Sequence, residues 1–593
     1  MGRVHLVVRL VLADVRRHKA HAAMLILAVT AAVATVALGL SLNGASQSLY
    51  RQTRAATGGP DVVALAPDTG PAVVPALEEL AADPEVVGHH GPYAVVYGDL
   101  VAHGKSSGVV VHGAEPTPGE INHPLVTSGE WIRPGGAVID RGLATAVGVN
   151  VGDRVTISGR SYPVVGIAVA ASTAIYPWAA GIGPFGGPSD WNGLVWMTAA
   201  DAQKLAGQDL PVTTAMDLDL RDPDATQAFI AAHHVTSTRV TMHSWQFLAQ
   251  QDAVILDGSQ PILVVGGWLL GFLAVTGVAA LAAGRAAEQT RRAGLLKAVG
   301  ATPGLIAAVL LTEFLALALV AQVVGLVVAR LVEPALANPT ASRIGHIVGP
   351  DVTTLVATTV LALGVAVLTT LPPTVRALRT ATVTALTSPA QYPRHRPWLT
   401  TLSALLPTPL LLGLRLTARR PGRAVLHACS TAATVTGVTG LLIGVAQPAR
   451  PYGYGAAALP NIRDEQNYRL LLAVTVMLLV LAIVNTVATT WMTAMESRAS
   501  MAVARALGAT PGQVSAGLSF AQLLPAVPGA VVGVYLGIFL FGFFTVGQIA
   551  MPPGSSLVGV AVAMLVATAA LTALPAWFAA RRSVARTLSA EAA

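Results

Sequence analysis

The segment Glu288-Gln-Thr-Arg-Arg-Ala-Gly-Leu-Leu-Lys-Ala-Val-Gly-Ala-Thr-Pro-Gly304 returns 208 residues later as Glu496-Ser-Arg-Ala-Ser-Met-Ala-Val-Ala-Arg-Ala-Leu-Gly-Ala-Thr-Pro-Gly512. One offset carries Glu288 onto Glu496, Lys297 onto Arg505, Gly300 onto Gly508 and, beyond the segment, Gly325 onto Gly533. Self-similarity at a fixed offset is the mark of a duplicated structural unit. Weaker echoes join Arg16-Arg17 to Arg419-Arg420 and Leu371-Pro372 to Leu574-Pro575. Within the first copy Glu288, Arg291, Arg292 and Lys297 alternate with Leu295, Leu296 and Val299, the pattern of a short amphipathic helix. Gly300 suits the residue just past its end, and Pro303 prevents it from continuing into the next span. The second copy offers Glu496, Arg498, Arg505 and Gly508 in the same roles.

The chain on either side of these turns is apolar. Of 593 residues, 53% are hydrophobic and 11% are charged, against roughly a quarter charged in soluble domains. Mean hydropathy is +0.62. Disorder, collagen-like repetition and a disulfide scaffold are excluded, and a lone cysteine, Cys429, rules out a multi-cysteine zinc site. Eight windows reach the length of about 20 residues needed to cross a bilayer, near 21–43, 260–283, 304–329, 353–375, 424–446, 470–493, 514–543 and 556–578. Pro525 and Pro528 predict a kink or re-entrant bend in the seventh. The stretch 402–414 is too short to span and reads as an interfacial elbow.

Orientation is set by the basic residues, because loops rich in Lys and Arg stay in the cytoplasm. The two termini and the even-numbered connections hold 22 basic and four acidic residues. The segment 45–258 holds 10 basic and 21 acidic residues and belongs outside. The net charge of +7 therefore describes a basic inner rim beside anionic lipid and implies nothing about nucleic acid. The expected architecture is a polytopic α-helical membrane protein, eight transmembrane helices in two four-helix repeats, with one mixed α/β extracytoplasmic domain. Its parts are an N-terminal elbow and first helix (1–44), the exterior domain (45–258), helices two to four with the first turn at 286–300 (259–390), a cytoplasmic linker (391–423) and a second repeat with its turn at 494–508 (424–593).

Chemistry is harder to find. Gly98-Asp-Leu-Val-Ala-His-Gly104-Lys105-Ser106 has five residues between its glycines where a phosphate-binding loop has four, and it lies outside the cell; it reads as a hairpin turn. His89-His90, His233-His234, His103 and His112 lack the carboxylate or thiolate company of a catalytic metal site and read as solvated surface residues. No nucleophile elbow is present. No catalytic, cofactor-binding or metal-binding residue is assigned. Glu313 lies inside a span, where one carboxylate suits a helix–helix hydrogen bond better than a proton relay. Asn485, with Thr431, Thr434, Thr486, Thr489 and Thr490, would likewise join helices.

The exterior segment alternates short strands with Gly-rich turns and two helices near 199–206 and 223–233, the second announced by Asp222-Pro223. Its stretch 171–193 sets Tyr176, Trp178, Phe185 and Trp191 among glycines and prolines. So long and aromatic a loop either covers the domain's own core or the bilayer surface, or binds an apolar ligand or protein.

The duplicated turns resemble those of the FtsX-like permease family of ABC transporters. The stretches Gly136–Asp140, Leu143–Asp153, Arg154–Ser158 and Tyr162–Ile167 are similar to the periplasmic core domain of MacB-type proteins. The resemblance implies that both turns are coupling helices seated on a separate ABC ATPase subunit, two copies per chain, which would bind the ATP and Mg. It implies a non-enzymatic permease that exports a substrate or transmits movement to its exterior domain, with both termini cytoplasmic. Eight spans without a fused ATPase depart from the MacB-type pattern, so one chain does not need a second copy. The alternatives are a transmembrane regulator of a cell-wall enzyme or sensor, and a secondary transporter built on Glu313.

Overall fold

The computed structural model describes residues 19–67, 70–179, 191–207, 210–234, 240–284, 303–345, 349–379, 407–419, 421–452, 457–496, 503–545 and 547–580. The first helix, α1 (Lys19–Ala56), is one rod of 38 residues. At 1.5 Å per residue it measures roughly 57 Å, nearly twice a bilayer's hydrocarbon thickness, so it passes position 44 and delivers its last turns into the exterior domain.

That domain is a ten-stranded mixed sheet, β1 (Val62–Ala66), β2 (Val86–Ala102), β3 (Lys105–Ala114), β4 (Leu125–Gly129), β5 (Ala137–Asp140), β6 (Arg154–Ile157), β7 (Arg160–Val169), β8 (Asn192–Thr198), β9 (Val212–Leu220) and β10 (Thr241–Ser244), in the order β10-β1-β9-β2-β3-β8-β5-β7-β4. β6 pairs with both β2 and β7, so β2, β3, β8, β5, β7 and β6 close into a ring. Leu100, Val111, Ile139, Ile157, Val164 and Met197 fill it, and β-branched residues dominate because they suit a pleated, buried surface. β1, β9 and β10 extend the sheet past β2 and are backed by α2 (Val73–Ala81) and Phe229. The near-match to a phosphate loop is the two-residue turn His103-Gly104 of the β2–β3 hairpin, both residues at positive φ. The two expected helices appear, α4 (Ala199–Ala206) and, after a 3₁₀ turn at Pro223–Ala225 capped by Asp222, α5 (Thr226–His234); α2 and α3 (Arg141–Val147) are additional to them.

α6 (Trp245–Asp257) returns the chain to the bundle. Next come α7 (Gln260–Gly284), α8 (Pro303–Ala337), α9 (Val352–Arg379), α10 (Thr408–Arg419), α11 (Pro421–Ala446), α12 (Ile462–Glu496), α13 (Pro511–Phe544) and α14 (Gly554–Ala580). Among the described residues seven helices are long and apolar enough to cross a membrane, and α9 adds a shorter apolar stretch, Val352–Leu368. The chain is a multi-pass membrane protein with an exterior domain.

Besides the length of α1 and the shift of the elbow from 402–414 to 408–419, further expectations change. α12 starts at Ile462, ahead of 470, because Asp464 and Glu465 are accommodated in its exposed first turn. Pro525 and Pro528 lie inside an unbroken α13, with no re-entrant bend. Proline at 525 leaves the Ala521 carbonyl without its helical donor, and Thr417 of α10 donates to it at 3.3 Å. The elbow α10 is thus docked along α13, where Gly517 admits Leu412. Finally, His112 is buried inside the sheet domain, where desolvation depresses its pKa to about 4.

Gly325 and Gly533 occupy matching places. A methyl group on Gly325 would stand 2.8 Å from Val33 of α1, and one on Gly533 2.6 Å from the Ala432 carbonyl of α11. Each lets the third helix of its half press against the first.

Candidate functional site

Two places could pass force through this molecule, one at each end. At the end away from the sheet, a helix over 503–506 stops in a double lock: Ala509 donates its N–H to the Ala504 carbonyl at 3.0 Å and Gly508 to that of Arg505 at 3.1 Å. This is a Schellman ending, and it needs the left-handed backbone that Gly508 supplies with φ +99°. Two residues on, Thr510 and Gln513 form a reciprocal capping box and Pro511 starts α13. The turn is therefore stiff. It presents Leu507, 84% exposed, and Val503, 50% exposed, with Arg505 half-buried between them.

At the other end, the connection between α8 and α9 is inserted into the sheet domain through Arg343. Its guanidinium donates from Nε to Asp252 Oδ2 at 2.6 Å and from Nη2 to Asp252 Oδ1 at 3.0 Å, a two-pronged pair buried on both sides. Nη2 also donates to the Thr173 carbonyl at 2.9 Å and Nη1 to that of Ala170. The Tyr50 ring of α1 lies 5.0 Å from the charge. Burial opposes the Arg343 cation, but Asp252, Tyr50 and Asp140 outweigh it and hold its pKa above the ordinary value.

The backbone around it is pinned as well. Arg141 donates to the carbonyls of Ala341 and Arg343, the latter at 2.6 Å. Thr53 bonds both the N–H and the carbonyl of Ile344, at 3.0 and 3.1 Å. Asp140 caps α3 through Gly142 and Leu143, and Ser342 reaches its carboxyl at 3.4 Å. Burial raises the Asp140 pKa to about 6, against the pull of those bonds and of Arg343.

The second half meets the domain differently. Tyr452, in the 447–461 connection, is buried in the ring's core beside Leu459 and stands 6.1 Å from Trp191. Its hydroxyl donates to Asn461 at 2.8 Å.

The aromatic loop is largely accounted for by these contacts. Tyr176 is buried in the ring with its hydroxyl 3.4 Å from that of Ser107, Trp178 packs against the outer ends of the bundle near Leu263 and Leu336, and Trp191 faces Tyr452. Phe185 lies outside the described residues, as do Glu288, Arg291, Arg292, Lys297, Gly300 and Arg498. Glu496 closes α12. Glu313 is buried in the bundle, and Asn485 donates to Ser430 of α11 at 3.3 Å, a helix–helix bond of the expected kind. His90 and His233 each approach a carboxylate, Asp217 and Asp83, at 3.4 and 3.1 Å. Sequence reading missed Arg343 and Asp252. They are 91 residues apart, and neither carries a motif.

Set beside known families, the segments 263–382 and 472–584 both match the FtsX-like permease C-terminal family, and 22–234 matches the MacB-like periplasmic core domain. The bundle segments are thus similar to the FtsX-like permeases, and the sheet domain with the first helix to the MacB-like periplasmic core domain. No curated protein matches this chain in sequence. Among solved structures, the extracellular domain of the noncanonic ABC-type transporter YknZ from Gram-positive bacteria is similar at 10% identity, covering 31% of this chain and 100% of that chain, with a TM-score of 0.20. The turn at 503–508 falls inside the second FtsX-like match, and the Arg343 connection inside the first.

Proposed function

We propose that this permease is the membrane subunit of an ABC transporter whose ATP hydrolysis is performed by a separate ATPase, two copies per chain, gripping the turns 286–300 and 494–508 from the cytoplasm. In this reading both termini are cytoplasmic, and ATP and Mg belong to the partner. The supporting observation is the stiff, doubly locked turn at 503–508, which holds Leu507 and Val503 out from the bundle at the end opposite the sheet domain. Exposed apolar side chains on a short fixed helix, flanked by a cation, are what a docking knob needs.

Movement imposed on that turn enters α13 directly, because the capping box leaves no slack between them. Tightly seamed helices move as rods. The first half would then drive the sheet domain through the Arg343 joint and the second half through Tyr452. Because Tyr176, Trp178 and Trp191 are committed to packing, the aromatic loop serves the coupling of domain to bundle in this reading, whether the output is substrate export or control of an exterior enzyme or sensor.

The test is co-purification of the ATPase with the charge-reversed variant Lys297→Glu/Arg505→Glu. Loss of the ATPase from a correctly folded permease is the expected result. Full retention would overturn the docking assignment. Efflux and exterior-enzyme activation, measured with Arg343 intact and replaced, then separate export from regulation.

A further inference from the structure

The outer face of the sheet carries a row of aromatic side chains. On β3, Val109 and Val111 fill the closed ring of strands, so His112 points the other way, beside Trp196 of β8 in the register. Tyr93 stands 5.4 Å from His112 and 5.2 Å from His90, and Trp131 stands 6.1 Å from Trp196, all between ring centres. These five side chains line one half-open cleft of about 30 Å³, with the exposed Glu115 also in its wall. At about 10–15 Å³ per water the cleft admits about two waters or one ammonium head.

A strap, residues 115–124, closes the cleft on one side through Asn122. The strap is tied to the chain just past α1: Asn122 donates its N–H to the Gly58 carbonyl at 2.7 Å, and His123 donates to that of Thr57 at 2.9 Å. The Asn122 side chain turns inward, where Nδ2 donates to Asp217 Oδ2 of β9 at 2.7 Å. Tyr93 donates its hydroxyl to the same oxygen at 3.1 Å, and His90 Nδ1 lies 3.4 Å from it. All three contacts fall on Oδ2. Asp217 Oδ1 and Asn122 Oδ1 have no hydrogen-bonding partner in the protein. Asn122 is 7% exposed and lines the cleft, and Asp217 beside it is 0% exposed. Two acceptor oxygens held out of water call for a donor.

The donor's chemistry follows from what surrounds those oxygens. Desolvation depresses the His112 pKa to about 4, so near neutrality it meets the cleft as an uncharged ring. The faces of tryptophan and tyrosine are electron-rich and attract cations within about 6 Å. Glu115 adds a carboxylate at the exposed margin. A neutral hydroxyl would bond the oxygens but gain little from the ring faces, and a quaternary ammonium would gain from the faces but has no hydrogen to give. A primary ammonium serves both. Among the described residues no group of His, Cys, Asp and Glu is placed to hold a metal ion, which favours an organic cation.

We propose that the cleft between the strap and the outer face of the sheet binds a primary ammonium group, with Asn122 Oδ1 accepting one of its hydrogens, the Asp217 carboxylate next to it, and Trp131 and Trp196 flanking the carbon chain that carries it. Because the strap is bonded to Thr57 and Gly58, an occupant held by Asn122 steadies the junction of the sheet domain with α1. The group can arrive on a small amine or on a lysine of a peptide. The assignment concerns the exterior domain alone and is independent of the ATPase.

Full-length protein in nanodiscs of a zwitterionic lipid is titrated at pH 7 with n-butylamine, 1-butanol or tetramethylammonium, and binding is read by saturation-transfer NMR on each probe's C–H protons. Butylamine gives a saturable signal and slows amide hydrogen exchange over 120–124; the other two probes do neither. Asn122→Gly, which keeps the left-handed backbone at φ +53° and the main-chain ties, and Trp131→Leu each weaken butylamine at least tenfold, while Glu78→Gln, an exposed charge on α2, leaves it unchanged. A melting curve for each variant certifies its fold. Displacement of butylamine by acetyl-glycyl-lysyl-glycinamide supports the site with a peptide lysine as its source, and displacement by free amines alone supports it with a small amine. Equal binding by both variants and the natural chain overturns the proposal, as does a saturable signal with unchanged exchange over 120–124. A match by 1-butanol would assign the oxygens to a neutral donor, and a match by tetramethylammonium would remove them from recognition; either overturns the ammonium assignment.

Discussion

The two halves of the chain carry closely related turn sequences and unlike hardware where they meet the sheet domain. In the first half the connection between α8 and α9 is held by a buried, two-pronged ion pair and a collar of backbone hydrogen bonds. In the second, the 447–461 connection reaches the sheet domain through an apolar contact, Tyr452 against the ring's core. The difference is one of directionality. Guanidinium hydrogen bonds fix angle as well as distance, whereas aromatic packing tolerates sliding. The sheet domain thus has one rigid mount and one compliant mount.

The largest expected effect tests the rigid mount. Arg343→Met strands the Asp252 carboxylate in the interior and should cost about 3–5 kcal/mol, read as lost hydrogen-exchange protection over 338–345 and in the sheet domain. Arg343→Met/Asp252→Leu should recover more than half of that loss. If single and double variants lose protection equally, the ion pair is not what seats the connection. Next comes the compliant mount: Tyr452→Ala should cost about 3 kcal/mol through the cavity it leaves, with exchange quickening over 457–462 and the Arg343 connection unchanged. Loss of protection at both mounts would show that they are one unit.

A smaller effect, opposite in sign, belongs to Asp140. Its folded pKa of about 6 lies above the ordinary 3.8, so the folded state holds the proton more tightly. That contribution is present below pH 4, falls away as pH rises to about 6, and stays absent above. Asp140→Asn keeps the cap on α3 without the buried charge. Relative to the natural chain it should gain stability progressively between pH 4 and 6, to roughly 2 kcal/mol above that window. A pH-independent difference in denaturant unfolding would remove Asp140 from the account. Smallest is Gly508→Ala: open space surrounds the added methyl, so the cost is that of the left-handed backbone, about 1 kcal/mol. Gly300→Ala should match it in partner affinity if the two turns are built alike, and a clear inequality would extend the asymmetry of the halves to their inner ends.

Much of this was legible in the chain. The apolar windows located every long helix, because a bilayer demands length and composition, but they stopped short of the far ends of α1 and α8 and the start of α12, which run on beyond the apolar stretch. The repeat at an offset of 208 located the turn, and Gly508, Thr510 and Pro511 take the stop and start roles their residue types announce, since such roles depend on backbone chemistry over a few neighbours. His112 misled because its neighbours on β3 alternate with the strand, and only the closed ring and its flanking β9 decide which face is inside. The sequence left the aromatic loop open between covering the core and binding a partner for a related reason: whether Trp191 meets solvent or Tyr452, 261 positions away, is settled by packing.

The sequence by itself determined the solvent this protein lives in, the recurrence of one turn segment 208 residues on and the local punctuation of its helices, because these depend on hydropathy, spacing and the conformational tastes of glycine, proline and threonine. Only the tertiary structure decided where force can cross from bundle to sheet. Arg343 and Asp252 are ordinary surface residue types until folding removes water from both, and the bond between them exists only because α1, α6 and the connection after α8 converge on one dry place.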